Sequence, residues 1–184
     1  KDLHDADPQR RYKAQGEWHG PGGHQPPGGM ANAYSPDGIH WTYDDKAVVI
    51  YGPDVADAST VLGCWDPKRL KYIGYFRPGH PLAYEIDGIG VHRHIRTVGY
   101  AESDDFEHWT PTRIMLAPDH KDRVDYQYMY FVAAPYGEFY VALLMVHKTH
   151  EQVWDTYLMS SRDGFHWTWV DRHEPFLGRG EVGS

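Results

Sequence analysis

The chain has 184 residues, which is enough for one domain with a buried core or for two very small domains. Its formal charge of −8 and the lack of any block of Lys and Arg argue against nucleic acid as a partner, and no run of 18 apolar residues is present to span a membrane. The single cysteine, Cys64, excludes an internal disulfide and a zinc site built on several cysteines. Aromatic residues make up 15% of the chain and favour strands.

Short strand-like runs, separated by turns that contain Pro or Gly, follow one another along the whole chain. The first set is "DPQRRYKAQG", "MANAY" and "AVVIY", and the second is "DPKRLKYIGYF", "RTVGYAE" and "RIML". The third set is "APYGEFYVALLMV", "DTYLM" and a last "HWT" run. Together with a run that opens the blade, such as "STVLGCW" in the second and "YQYMYFV" in the third, each set predicts an antiparallel meander of four strands, about 60 residues long and typical of a propeller blade. We expect almost no helix.

One eight-residue motif recurs in all three sets. It reads "SPDGIHWT" from Ser35, "SDDFEHWT" from Ser103 and "SRDGFHWT" from Ser161. The motif Asp is expected to accept backbone N–H bonds, the Gly to permit a positive φ, and the Trp to pack between sheets. Phe106 replaces the Gly in the second copy, so we predict a turn that differs in detail there. The motif His residues are assigned a structural role: His40, His108 and His166.

Acidic residues recur with the motif. Asp57 and Asp125 each lie 22 residues after a motif Ser, and Glu181 lies 20 residues after the third. Each precedes a run that would open a new blade, and the opening strand of a blade lines the central channel. The sequence therefore predicts an all-β propeller within 1–184, with about three four-stranded blades at 1–56, 57–124 and 125–184. Since the chain starts at Lys1 and inside an expected innermost strand, we expect a fragment of a larger propeller or a subunit that associates.

The repeated turns, "DPKRLKYIGYFR", the acids at blade entries and "GRGEVGS" together resemble the five-bladed β-propeller glycoside hydrolases of the fructan- and arabinan-cleaving type. The resemblance implies that Asp57 is the nucleophile or base. It implies that Asp125 orients the sugar and stabilises oxocarbenium charge, and that Glu181 is the general acid. The Asn-Asp-Pro start and the Glu-Cys signature of the fructan families are absent, and "RVD" is only loosely similar to their Arg-Asp-Pro.

Each assignment has a structural alternative. Asp57 and Asp125 could be turn caps, and Glu181 a solvated loop residue. The residues expected to bind substrate are Arg77, His80, Tyr126, Tyr128, His147 and Arg179. For the two tyrosines the alternative is packing between blades, and for Arg77 it is an ion pair with a neighbouring acid.

The resulting hypothesis is a carbohydrate-active protein that hydrolyses glycosidic bonds in an oligosaccharide or polysaccharide. Two alternatives stay open: a non-catalytic glycan-binding propeller, and a partial propeller completed by another chain, a homo-oligomer or further blades. No cofactor and no metal site are predicted, because His92 and His94 lack a third ligand, although a calcium ion in the channel is not excluded. No nucleic acid or membrane partner is expected, and the resemblance implies a secreted or periplasmic location.

Overall fold

We describe a computed structural model of the chain over residues 1–18, 29–50, 65–76 and 95–180. These residues form three antiparallel sheets, which confirms the predicted all-β class. In the described residues the one helix is a 3-10 turn, Pro8–Arg10. None of the described residues forms a helix long and apolar enough to cross a membrane.

The first sheet has the order β1-β2-β3, with β1 at Tyr12–Trp18, β2 at Gly29–Ser35 and β3 at Thr42–Ile50. The second has the order β4-β5-β6-β7, and its strands are β4 Trp65–Asp66, β5 Lys71–Phe76, β6 Val98–Ser103 and β7 Arg113–Leu116. The third has the order β8-β9-β10-β11, and its strands are β8 Tyr126–Tyr136, β9 Phe139–Lys148, β10 Val153–Ser161 and β11 Trp167–Trp169. Each sheet is a meander, as the spacing of strands and turns predicted.

The start of the chain differs from the expectation. Residues 1–7 form bends rather than an innermost strand, so the first sheet has three strands within the described residues. Lys13 explains the local structure, because its buried ammonium contacts the carboxylates of Asp2 (2.6 Å) and Asp5 (2.8 Å). Tyr72 of β5 also donates to Asp2 at 2.6 Å. These contacts hold the segment against the sheets, where it cannot pair as a strand.

The main core lies between the second and third sheets. Strand β10 buries alternate residues, because successive side chains point to opposite faces. This core consists of Ile73, Tyr75, Val98, Tyr100, Tyr128, Phe131, Ala133, Ala142, Leu144, Val146, Tyr157 and Met159. A smaller cluster of Met30, Phe76 and Ala101 joins the first sheet to the second.

The repeated motif forms the same hydrogen-bonded turn in all three copies. The Ser Oγ accepts the N–H groups of the Asp and of the residue after it. One Asp oxygen accepts the next two N–H groups, and the other lies 2.7 Å from the His Nδ1. The Asp and His pairs are Asp37–His40, Asp105–His108 and Asp163–His166. The motif is therefore a self-contained local cap, which agrees with the structural role assigned to its His.

The prediction of a different turn at Phe106 is wrong. Phe106 adopts φ 70°, in the same left-handed region as Gly38 (84°) and Gly164 (69°). Its ring is 1% exposed and packs against Tyr72 at 5.2 Å, while Asn32 of the first sheet donates to its carbonyl at 3.0 Å. Burial of a phenyl ring between two sheets offsets the cost of a positive φ in a residue that carries a side chain.

The motif Trp packs between sheets in two copies. Trp167 contacts Tyr75 of the second sheet (6.2 Å between ring centroids), and Trp109 packs against the cluster of Met30, Phe76 and Ala101 that joins the first sheet to the second. Trp41 in the first copy is 36% exposed. The difference follows from position, since Trp109 and Trp167 each face the sheet that precedes theirs, and no described sheet precedes the first.

One face of the third sheet carries apolar side chains that no other described sheet covers. We call it the outer face, and it consists of Tyr130, Val132, Val141, Leu143, Met145, Trp154 and Leu158. Val132 is 52% exposed and Trp154 is 41% exposed. The second and third sheets can be aligned because Tyr72 and Tyr140 each pair with a motif Ser. In this alignment Val141 and Leu143 correspond to Ile73 and Tyr75 of the second sheet, which are buried against the third sheet.

Candidate functional site

The candidate site lies at one end of the third sheet. Because the strands are antiparallel, the start of β8, the end of β9 and the start of β10 meet there. An open groove with a volume of about 620 Å³ lies at this end. Its lining residues are Asp122, Arg123, Val124, Asp125, Thr149 and His150. The groove is large enough for a small ligand.

Asp125 is the anchor of this groove. It is only 6% exposed, and its backbone carbonyl accepts the N–H and the hydroxyl of Thr149 at 3.1 and 3.0 Å. One carboxylate oxygen accepts Arg123 Nε at 3.0 Å, and the other accepts the backbone N–H of His150 at 3.2 Å. The carboxylate is therefore held in one orientation by groups from two chain segments.

The environment keeps Asp125 ionised. Burial acts to raise the pKa of Asp125, but the backbone N–H of His150 and the positive charge of Arg123 outweigh burial and lower the pKa. A carboxyl group with a lowered pKa is a poor general acid at neutral pH. It is suited to the roles of an ionised carboxylate, which are nucleophile, base or stabiliser of positive charge.

Arg123 joins two carboxylates. Its Nη1 lies 2.6 Å from Glu151 Oε1, while its Nε contacts Asp125. We call Asp125, Arg123 and Glu151 the acidic cluster, since two carboxylates share one guanidinium and the formal charge is −1.

A second cluster of opposite charge lies beside the first. Asp155 is 1% exposed, and its two oxygens lie 2.6 Å from Lys148 Nζ and 2.8 Å from Arg179 Nε. Burial acts to lower the pKa of Lys148, but hydrogen bonds with Asp155 and Tyr157 outweigh it and raise the pKa, so Lys148 stays protonated. We call Lys148, Asp155 and Arg179 the basic cluster, and its formal charge is +1.

Tyr126 separates the two clusters. Its half-buried ring has the Arg123 guanidinium 5.8 Å from its centroid and Lys148 Nζ 5.5 Å from it. The strand register explains this position, because Tyr126 pairs directly with Lys148 across β8 and β9. The structure thus brings three predicted site residues together at one sheet end: Asp125, Tyr126 and Arg179.

Tyr128 does not lie on this surface, which corrects its assignment as a stacking group for a sugar. It is 1% exposed, its hydroxyl donates to Asp122 at 2.8 Å, and its ring packs against Trp169 at 6.0 Å. Tyr128 instead packs between blades, which was the alternative for this residue. It lies on the same face of β8 as Tyr126, two residues further along and deeper in the core. Asp122 is itself buried and serves to hold Tyr128.

His147 also lies elsewhere. Residues of β9 alternate between faces, so His147 points away from Lys148 and packs against Trp154, with the ring centroids 5.1 Å apart and the rings tilted by 37°. It is not among the residues that line the groove. The other predicted site residues lie outside the described part of the chain: Asp57, Arg77, His80 and Glu181.

Sequence reasoning assigned no role to Glu151, Lys148 and Asp155. Only Asp155 left a usable signal, because the alternation in "VWDTYLM" assigns it to the same buried face as Tyr157 and Met159. A carboxylate at a core position requires a partner. Within residues 1–18, 29–50, 65–76 and 95–180, no group of three His, Cys, Asp or Glu is arranged to hold a metal ion.

Comparison with known proteins identifies the fold. No protein-family model and no curated protein matches the sequence. An N-acetylgalactosamine deacetylase from F. plautii, solved with blood group B trisaccharide, matches with a TM-score of 0.61 at 16% identity, over 83% of this chain and 46% of that chain. A Bombyx mori GH32 β-fructofuranosidase matches with a TM-score of 0.57 at 12% identity, over 80% of this chain and 29% of that chain.

A sucrose-6-phosphate hydrolase from Lactobacillus gasseri matches with a TM-score of 0.55 at 19% identity, over 80% of this chain and 29% of that chain. The chain thus spans less than half the length of each of these solved structures. At such identities the likeness establishes the fold. The three sheets are blades of a β-propeller, and the structural neighbours include glycoside hydrolases of the five-bladed propeller type, as the sequence predicted.

Proposed function

We propose that the chain belongs to a carbohydrate-active protein that hydrolyses glycosidic bonds at the Asp125 groove. The observation that carries the proposal is the buried, ionised carboxylate of Asp125 in a groove at the start of β8, the first strand of the third sheet. Support comes from the structural neighbours, among which are a fructofuranosidase and a sucrose-6-phosphate hydrolase.

In the proposed reaction, Asp125 faces the sugar ring as an anion. Glycoside cleavage develops positive charge on the ring, and a fixed carboxylate stabilises that charge without reorganisation. Arg123 and the His150 N–H hold the carboxylate in place. Two further carboxyl groups complete the proposal, with Asp57 as nucleophile or base and Glu181 as the acid that protonates the leaving oxygen.

Release of sugar from a broad panel of oligosaccharides and aryl glycosides tests the proposal. We expect turnover by the unmodified protein and a loss of about a thousandfold or more in Asp125→Asn, since the neutral amide cannot stabilise the charge. Asp57→Asn should show a comparable loss.

Asp163→Asn is the matched control, because it makes the same chemical change in a repeated turn at the opposite end of the third sheet. It should keep full turnover. Binding of a glycan without turnover would replace hydrolysis by the glycan-binding alternative. Equal turnover by the unmodified protein and Asp125→Asn would contradict the catalytic role of Asp125.

The outer face of the third sheet supports a second proposal, that further blades complete this propeller. In the second sheet, the residues equivalent to Val141 and Leu143 are buried by the next sheet along the chain. Sedimentation of the isolated chain tests it: self-association that Leu143→Glu abolishes is expected, and a stable monomer at high concentration would contradict it.

A further inference from the structure

The basic cluster carries one more positive charge than negative charge. Asp155 supplies one negative charge, whereas Lys148 and Arg179 supply two positive charges. Lys148 is 13% exposed and is satisfied by Asp155 and Tyr157. The positive group of this cluster that is accessible to a ligand is therefore Arg179, whose side chain is 53% exposed.

Among the described residues, Arg179 is held through only one part of its guanidinium. Asp155 contacts Nε, and no described residue pairs with either Nη group of Arg179. The two Nη groups carry four of the five N–H donors of an arginine. A buried carboxylate that binds Nε fixes the plane of the guanidinium, which lowers the entropy lost when a ligand binds the remaining donors.

The other two arginines at this end of the sheet place both of their Nη groups on carboxylates. Arg123 uses Nε and both Nη groups on Asp125 and Glu151. Arg172 places one Nη on each oxygen of Asp119, at 2.7 and 2.9 Å. Arg179 is thus the exception among these three.

We propose that Arg179, with the field of Lys148, forms a subsite for an oxyanion substituent, a carboxylate or a sulfate, on the saccharide bound at the Asp125 groove. This inference rests on the proposed glycan ligand. A carboxylate and a sulfate can each present two oxygens to the two parallel N–H donors of an arginine fork, so both match it in geometry as well as charge.

The distance between the clusters fits a short oligosaccharide. Arg123 of the acidic cluster and Lys148 of the basic cluster lie 5.8 and 5.5 Å from the centroid of the Tyr126 ring, so no more than about 11 Å separates these two groups. The ring of Tyr126 lies between them and offers a flat, partly exposed surface for a sugar ring. A saccharide that spans the two clusters would place its reacting ring at the negative cluster and its anionic substituent at the positive one.

Calorimetric titration with matched trisaccharides tests this subsite. The ligands are uronic acid trimers (galacturonate, glucuronate, mannuronate and guluronate), their fully methyl-esterified forms, and a sulfated galactan trimer with its desulfated form. We expect at least one acidic trimer to bind about tenfold or more tightly than its neutral form, with the carboxylate and sulfate arms identifying the source of the charge.

Arg179→Gln should remove that preference while leaving affinity for the neutral form unchanged. Arg179→Lys should restore only part of it, because the charge is kept and the fork is lost. Arg162→Gln is the matched control, since it removes the same charge at the opposite end of β10, and it should keep the preference. Thermal unfolding of each variant separates loss of binding from loss of fold.

The binding assay is independent of turnover, so the two proposals fail separately. An acid preference that depends on Arg179, seen also in Asp125→Asn, would support the subsite even without hydrolysis. Equal binding of acidic and neutral trimers, absence of binding by all of them, or a preference that survives Arg179→Gln would overturn it.

Discussion

The two ends of the third sheet hold their charged residues in different ways. At the turn end, Asp163 binds only groups within three residues of itself, and the same turn recurs in the other two sheets. At the groove end, Asp125 binds His150, and Asp155 binds Arg179, so the contacts span 24 or 25 residues. Within the described residues, the first two sheets contain no counterpart of these groove-end contacts.

In a repeat protein, this difference distinguishes residues that stabilise the scaffold from residues that form a site. A charged residue that recurs with the same short-range partners in every repeat stabilises the repeat. A buried charged residue that occurs in one repeat, and needs partners from other strands, costs desolvation that the fold alone does not require. Such residues are the better candidates for function.

The largest expected effect on stability is at the groove end. Asp155→Asn leaves Lys148 and Arg179 without a counter-charge, and we expect it to lower the free energy of unfolding by about 3–5 kcal/mol. Asp163→Asn at the turn end should cost only about 1 kcal/mol, because the amide oxygen still accepts the two backbone N–H groups. Urea denaturation measures both, and a larger loss in Asp163→Asn would reverse the comparison.

Replacement of one glycine at each end should give a smaller difference in the free energy of unfolding, and here the turn end should lose more. Gly164 at the turn end has φ +69°, and an added Cβ would lie 3.3 Å from the Tyr140 ring. Gly164→Ala should therefore lower the free energy of unfolding by about 1–2 kcal/mol. At the groove end a Cβ on Gly178 would meet nothing within 4 Å, so Gly178→Ala should be neutral or slightly stabilising. Equal losses in the two variants would show that the turn has no special backbone demand.

The smallest effect is a pH dependence of the turn end. Hydrogen bonds from His and from backbone N–H groups outweigh desolvation and hold the pKa of each motif Asp below its usual range (Asp37, Asp105 and Asp163). The stability that they contribute is fully present above the unfolded pKa, about 4, and is lost as the pH falls through the lowered folded values.

Urea denaturation between pH 5 and pH 2.5 measures this loss. Asp163→Asn should show a shallower decline than the unmodified protein, because one of the three carboxylates no longer takes up a proton. An identical decline in the variant would mean that the turn Asp does not contribute to acid unfolding.

The amino-acid sequence determined the features that depend on neighbouring residues. The strands of the second and third sheets, the turns between them and the Asp caps of the motif were all predictable, because they follow from alternation and from contacts within three residues. The propeller fold followed from the repetition of those units. Asp125 was predictable as a site candidate from its spacing after the motif, and Tyr126 from its place next to Asp125.

Which side chains meet depends on the tertiary structure. Strand register joins Asp125 to His150 and Asp155 to Lys148, and register is a property of two strands rather than of either sequence. The same cause buried Tyr128 and placed His147 on the other face. Phe106 adopts a left-handed φ because its ring fills the space between two sheets. That space cannot be predicted from the residues next to Phe106 in the chain.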